Sequence, residues 1–431
     1  MKKTFHFIFL YIFIQPLSFA VVAQNFEDSI READANQILN FLSSDELKGR
    51  GNFTPELIHA GHFISGKFKE YGLQQFPGSL VFYQAFNAGD ARSLDRDDLF
   101  WNSKRLKQSQ FFLLTSEMIP GPKNLKDFHI VEYNGIINDS IYLAHWLDTT
   151  STLIWLKQTQ PANWQSSSES FRDPGFPPSK EILFVTAPDS PLSLEIATNT
   201  DYRKNVLFNI IGVLPGKTKA NEIVIFSAHY DHLGVGDPEK GDSIYNGAND
   251  DASGTTALLL LAKYFALRND NDRTIFFCAF AGEELGLLGS TFLASKLKPD
   301  GIKAMINIEM IGRTNIAGTN SFFLTGAEYS NLENIMRTNL RSSSVKLRSD
   351  PGTGHLFQRS DNFPFALKGV PAHTVMCSDD EDGCYHKPCD EAVRIDVHNM
   401  TTVVKAIALS SLSIVSGNDT PRRINPNDLN N

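Results

Sequence analysis

EIVIFSAHYD, residues 222–231, holds the key to the fold, and NDDASGTTALLLLAKYF, residues 249–265, extends it. The first is a short apolar run that stops abruptly at His229-Tyr230-Asp231. A run that short and that rich in Ile, Val and Phe reads as a buried strand. The second begins with two adjacent carboxylates, turns at Ser253-Gly254 and continues as a long apolar helix. The same alternation recurs downstream. TIFFCAF (274–280) runs into Ala281-Gly282-Glu283-Glu284 and the helical GLLGSTFLASKL (286–297). AMINI (304–308) runs into Glu309, and AHTVMCS (372–378) is a further strand. NVLFNIIGVLPG (205–216) reads as strand and turn, and IDVHNMTTVVKAIALSSLSIV (395–415) as a closing helix. Apolar strands alternating with helices predict an α/β fold: a mixed, largely parallel central sheet with helices on both faces.

Such sheets bind ligands beyond the carboxyl ends of their strands. Three strands therefore deliver His229, Asp231, Glu283, Glu284 and Glu309 to one edge. The Asp250-Asp251 pair follows the first of them and precedes a helix, and His386, in CYHKPCDE (384–391), follows the last. Helix capping alone accounts for an acidic residue before a helix. It does not account for three carboxylate clusters and two histidines on one edge, which repel unless cations hold them. Imidazole with carboxylate suits Zn²⁺ best, with Mn²⁺ or Co²⁺ as alternatives. One of the two aspartates is then a candidate bridge between two metals, its neighbour the cap.

AHYDHLG (228–234), GANDDASGTTALL (247–259), FAGEELGLLGS (280–290), INIEMIGR (306–313), RSDNFPF (359–365) and YHKPCDE (385–391) together resemble the zinc-dependent aminopeptidases of peptidase family M28, in order as well as content. The resemblance covers 205 to about 416 strongly, and LSSDELKGRG (42–51) more weakly matches the family's N-terminal start. It implies a zinc exopeptidase fold and two zinc ions per chain. His229 and His386 would each bind one ion, Asp250 would bridge them, and Glu284 and Glu309 would complete the set. Glu283 would be the general base, Asp231 would orient His229, and Tyr385 would help hold the developing oxyanion. Relatives usually carry Asp where Glu309 stands, so the reach of that ligand differs here by one methylene. The implied substrate is a peptide or protein cut at its N-terminal bond. Carboxypeptidase or dipeptidase activity, or a single-zinc glutaminyl cyclase, are the alternatives on the same fold.

The remainder of the chain bounds this reading. Of 431 residues, 42% are hydrophobic and 21% charged, enough for a large core. A net charge of −9 without a basic run disfavours nucleic acid as a partner. MKKTFHFIFLYIFIQPLSFAVVAQ (1–24) has the lysines, apolar stretch and small residues of a signal peptide, residues 1–23, cleaved near Ala23. Gln15-Pro16 breaks it as a membrane span. An exported, periplasmic or secreted protein, not membrane-bound after signal cleavage, is therefore expected. Residues 24–75 read as an N-terminal helical part of the peptidase domain, 205–417 as its catalytic part and 418–431 as a flexible tail. Residues 76–204 hold scattered aromatics, Pro-Gly turns and short strands such as EILFVTA (181–187). They read as an inserted accessory domain, protease-associated-like by position. Export also permits disulfides. Cys278 reads as an inert core thiol, while Cys384 and Cys389 flank His386 and are expected to pair. A Cys377–Cys384 pair, or free thiols, are the other options.

Overall fold

The computed structural model describes residues 29–430 apart from 78, 80, 89–97, 108–109, 115–122, 137–149, 162–181, 198–205, 316–317 and 353. The expected signal peptide lies outside the described residues.

An eight-stranded sheet organises the chain. Its strands are β1 (Tyr83–Asn87), β2 (Val206–Leu214), β3 (Lys219–His229), β4 (Arg273–Phe280), β5 (Ile302–Ile308), β6 (Ser321–Leu324), β7 (Lys346–Arg348) and β8 (Ala372–Met376). Their spatial order is β1-β2-β4-β3-β5-β8-β6-β7. The inner four, β4, β3, β5 and β8, are mutually parallel, and β1, β2 and β6 join antiparallel. The carboxyl ends of those four thus open on one edge, as the alternating pattern implied.

Alternate strand residues point to opposite faces. Val224, Phe226 and Ala228 enter one apolar cluster with Phe277, Ala279, Ile306 and Ile308. Ile225 enters another with Phe276, Cys278, Phe280 and Met305. Helices α1 (Glu32–Leu42), α2 (Pro55–Glu70), α3 (Gly254–Arg268), α5 (Leu332–Asn339) and α6 (Val397–Val415) supply side chains to the first cluster. Helix α4 (Leu288–Lys296) supplies Leu293 and Ala294 to the second. The Leu-rich α3 is buried nearly all round, as a helix between a sheet and other helices must be. It begins at Gly254, where an added Cβ would sit 2.2 Å from the Ile308 carbonyl oxygen, so only glycine admits this close approach to β5.

Two expected boundaries are corrected. Tyr83–Asn87 pairs with β2 and is an edge strand of the main sheet, although 76–204 was expected to be accessory throughout. Among the described residues, the strands from Asp98 to Ala197 pair only with one another, in two four-stranded sheets. It has a separate core around Leu99, Trp101, Phe111, Leu153, Trp155, Leu183 and Val185. The C-terminal tail is docked rather than flexible. Ile424 and Leu429 are buried in the second cluster, and Arg423 donates to the carbonyls of Pro299 (2.9 Å), Ile302 (3.0 Å) and Lys368 (3.1 Å). Two apolar side chains in a polar sequence suffice to anchor it. Among the described residues no helix is long and apolar enough to cross a membrane.

Candidate metal centre

β3 ends at His229, and its Nε2 lies 3.2 Å from Asp250 Oδ1. On the other side of the same carboxylate, Asp250 Oδ2 is 3.2 Å from His386 Nε2, which is also 3.2 Å from Glu284 Oε2. Two groups of donor atoms result, each lying within 4.8 Å of one another: His229, Asp250 and Glu309, and His232, Asp250, Glu284 and His386. Asp250 belongs to both. Glu283 belongs to neither.

Asp251 does different work. Its Oδ1 accepts from the backbone N–H of Gly254 (3.0 Å) at the start of α3 and of Met310 (3.2 Å), and its Oδ2 from that of His229 (3.3 Å). It caps the helix and ties the ends of β3 and β5 together. The peptide bond between the two aspartates is cis.

Asp231 lies beside His229 Nδ1 with both its backbone carbonyl and its carboxylate. His229 Nδ1 lies 3.1 Å from the backbone carbonyl of Asp231 and 3.7 Å from its carboxylate. The carbonyl therefore fixes the ring and leaves Nε2 free for a ligand. The Asp231 carboxylate also accepts from Asn52 Nδ2 (2.6 Å) and from the backbone N–H groups of Glu283 (3.3 Å) and Glu284 (3.4 Å). It holds the loop that carries both glutamates.

Glu309 follows β5, and its carboxylate accepts a hydrogen bond from the Ser360 hydroxyl. His386 has a left-handed backbone (φ 52°) between Cys384 and Cys389, which form the expected disulfide with a Cα–Cα distance of 5.4 Å. Cys278 and Cys377 are buried free thiols. Tyr385 stacks on His386 at 3.9 Å between ring centres, and its hydroxyl accepts from Arg359 Nη2 at 3.3 Å.

Several supporting residues escaped the sequence reading. Arg50 is 1% exposed and donates to the backbone carbonyls of Leu42, Tyr230 (2.9 Å), Asn246 (2.7 Å) and Gly247 (3.0 Å). Asp390 Oδ2 accepts from the backbone N–H of Asn249 (2.9 Å) and Asp250 (3.0 Å), while its Oδ1 accepts from Arg313 (2.9 Å). It fastens the His386 loop to the Asp250 turn. His232, in the same AHYDHLG stretch as His229, enters the cluster beside Glu284. Its spacing of three from His229 was the one available signal.

The cluster's electrostatics fit a cation. Burial opposes charge on His386, but hydrogen bonds to Asp250 and Glu284 outweigh it and push the ring up to about 10. Burial and Asp250 push Glu284 up, yet hydrogen bonds from His232 and His386 prevail and hold it at about 2. Glu309 is raised to about 7 by burial, with His229 pulling against and Asp250 adding to it. Protons on imidazole here offset carboxylates, the task a divalent metal performs when bound. His229 Nε2 is buried and, among the described residues, has no hydrogen-bond partner. An aromatic nitrogen and carboxylate oxygens 3.2 Å apart match zinc donors, which sit about 3.3 Å from one another on a tetrahedral ion.

Residues 209–410 match the model of peptidase family M28. Over that stretch the chain is similar to the M28 peptidases. Among similar proteins, a probable leucine aminopeptidase of Arthroderma otae is 40% identical over 116 residues, which is 25% of this chain and 30% of that protein. A probable zinc metalloprotease of Pyrenophora teres f. teres is 38% identical over 106 residues, 24% of this chain and 22% of that protein. The chain thus matches less than a third of either relative's length. A solved zinc aminopeptidase from Bacillus subtilis superposes with a TM-score of 0.53 at 18% identity, covering 91% of this chain and 97% of its own. An aminopeptidase from Aneurinibacillus gives 0.52 at 17%, covering 90% and 95%. These two establish a shared zinc exopeptidase fold.

Proposed function

We propose that the chain is an exported, zinc-dependent aminopeptidase that holds two zinc ions and hydrolyses the N-terminal bond of peptides or proteins. The supporting observation is the single Asp250 carboxylate facing His229 with one oxygen and His386 with the other, at 3.2 Å each. One zinc would be held by His229, Asp250 and Glu309, the other by Asp250, Glu284 and His386. Zinc supplies Lewis acidity and a water of lowered pKa.

The chain's own groups supply the rest. Glu283 stands beside the donor set with its carboxyl raised well above the usual range, chiefly by burial, and with Glu309, Asp361 and Glu284 adding to it against His229. A base so raised takes a proton from the attacking water and passes it to the leaving amine. The Tyr385 hydroxyl, accepting from Arg359, keeps its own proton to donate to the oxyanion. The printed name of the Arthroderma otae relative, a probable leucine aminopeptidase, supports cleavage at a free N-terminus.

A panel of free and N-acetylated peptides, beginning with an N-terminal leucine, tests the proposal with and without chelator. Cleavage of free peptides only, abolished by chelator and restored by zinc, is expected. Equal cleavage of acetylated peptides overturns the aminopeptidase assignment. Cyclisation of N-terminal glutamine without hydrolysis, by protein with one zinc, establishes the cyclase instead. N-terminal sequencing of protein recovered outside the cytoplasm should begin just after Ala23.

A further inference from the structure

His232 has no part in the mechanism above, yet it is packed into the centre of the cluster. After β3, the backbone N–H of His232 donates to the Arg50 carbonyl at 3.2 Å, and the ring turns inward, 1% exposed. Gly247 makes room for it. A Cβ at 247 would fall 2.5 Å from the ring's Cδ2, and Arg50 holds the Gly247 carbonyl at 3.0 Å. The ring thus lies against a backbone wall that cannot retreat.

Distances separate a ligand from its support. Asp250 Oδ2 and Glu284 Oε2 each lie 3.2 Å from His386 Nε2, the spacing of two donors on one zinc. His232 Nδ1 is 2.7 Å from Glu284 Oε1, the oxygen not turned to His386, and 3.8 Å from Asp250 Oδ2. The shorter distance is that of a charge-assisted hydrogen bond. An ionised carboxylate can only accept, so Nδ1 carries the proton. His232 Nε2 is buried with no hydrogen-bond partner among the described residues, so Nδ1 is the ring nitrogen that holds the cluster.

We propose that His232 is a positioning residue for the second metal site: its Nδ1–H holds Glu284 Oε1, so that Glu284 Oε2 is presented to zinc. This rests on the two-zinc reading of the same site. Hydrogen bonds of this kind orient a ligand, and losing one typically weakens metal affinity by about 10–100-fold.

The test uses the full-length zinc-loaded protein, with competitive chelator titration and zinc X-ray absorption to count imidazoles per metal. Three variants are compared. In His232→Asn the amide nitrogen can occupy the Nδ1 position, in His232→Gln it falls near Nε2, and His232→Leu has no donor. Wild type should bind two zincs with an average of one imidazole each. His232→Asn should keep both zincs and that count. His232→Gln and His232→Leu should release one zinc about 10–100-fold more readily and leave the other unchanged. The Asn and Gln pair decides the matter if the Leu variant fails to fold. An imidazole count that falls in His232→Asn makes His232 a ligand and overturns the proposal, as does unchanged affinity in both Gln and Leu variants. Wild type with a single zinc overturns the two-zinc reading, while the Asn–Gln comparison still decides what His232 does for the zinc that remains.

Discussion

Glu283→Gln separates proton transfer from metal binding. The substitution keeps the size and hydrogen-bonding capacity of the side chain but cannot take the water's proton. The backbone at 283 and 284 is pinned by the Asp231 carboxylate at 3.3 and 3.4 Å, so the glutamine is held where the glutamate was. Glu283 belongs to neither donor group, so no ligand is lost. The group removed is also a like charge among Glu309, Asp361 and Glu284, so its loss eases repulsion in the metal-free cluster and should leave zinc affinity equal or slightly lower. What disappears is general-base catalysis, worth roughly 10²–10⁴ in rate, or about 3–5 kcal/mol of barrier. Steady-state kinetics on a leucine anilide, beside zinc content by elemental analysis, should show kcat down by that factor, KM little changed and full zinc. Glu284→Gln should instead lose zinc. The assignment fails if Glu283→Gln retains kcat within tenfold, or if it loses zinc while Glu284→Gln keeps it.

Arg50→Met should be strongly destabilising. It strips partners from four buried carbonyls, each costing about 1–3 kcal/mol when left unpaired, so urea denaturation should show a loss of at least ~4 kcal/mol, and a loss below ~1 kcal/mol contradicts the role given to it. Replacing Cys384 and Cys389 by serine opens a loop of sequence separation 5 and should cost roughly 2 kcal/mol in thermal unfolding, together with easier release of one zinc to chelator. Unchanged zinc retention would mean that the disulfide does not fix the His386 loop. Truncation after Pro421 exposes the partners of Ile424 and Leu429, burial worth about 1.5–3 kcal/mol each, and should lower the melting temperature clearly. An unchanged Tm would restore the flexible-tail reading.

Much of this centre can be read along the chain because each functional group sits at a fixed place in the local pattern. A buried parallel strand is short and continuously apolar, and it stops where its backbone leaves the sheet. His229, Glu283, Glu284 and Glu309 follow three such stops, and strands that run parallel must present those stops on one edge. The division of labour between Asp250 and Asp251 was also foreshadowed, since a residue just before a helix can cap it. By contrast, the positions of Arg50, Asp390 and His232 were settled by tertiary structure. Arg50 meets Tyr230 across 180 residues of sequence, and an arginine in LKGRG reads locally as a solvated charge until four carbonyls converge on it. The Asp231 carboxylate, beside His229, also took up the Glu283–Glu284 backbone because N–H groups of a neighbouring strand's loop lay within reach. Tyr83–Asn87 became an edge strand because β2 offered a free ladder, and the polar tail docked because two apolar side chains met a gap in the second core. Strand ends and periodicity are encoded within a few residues, whereas the partner of a buried polar group depends on which distant backbone arrives beside it.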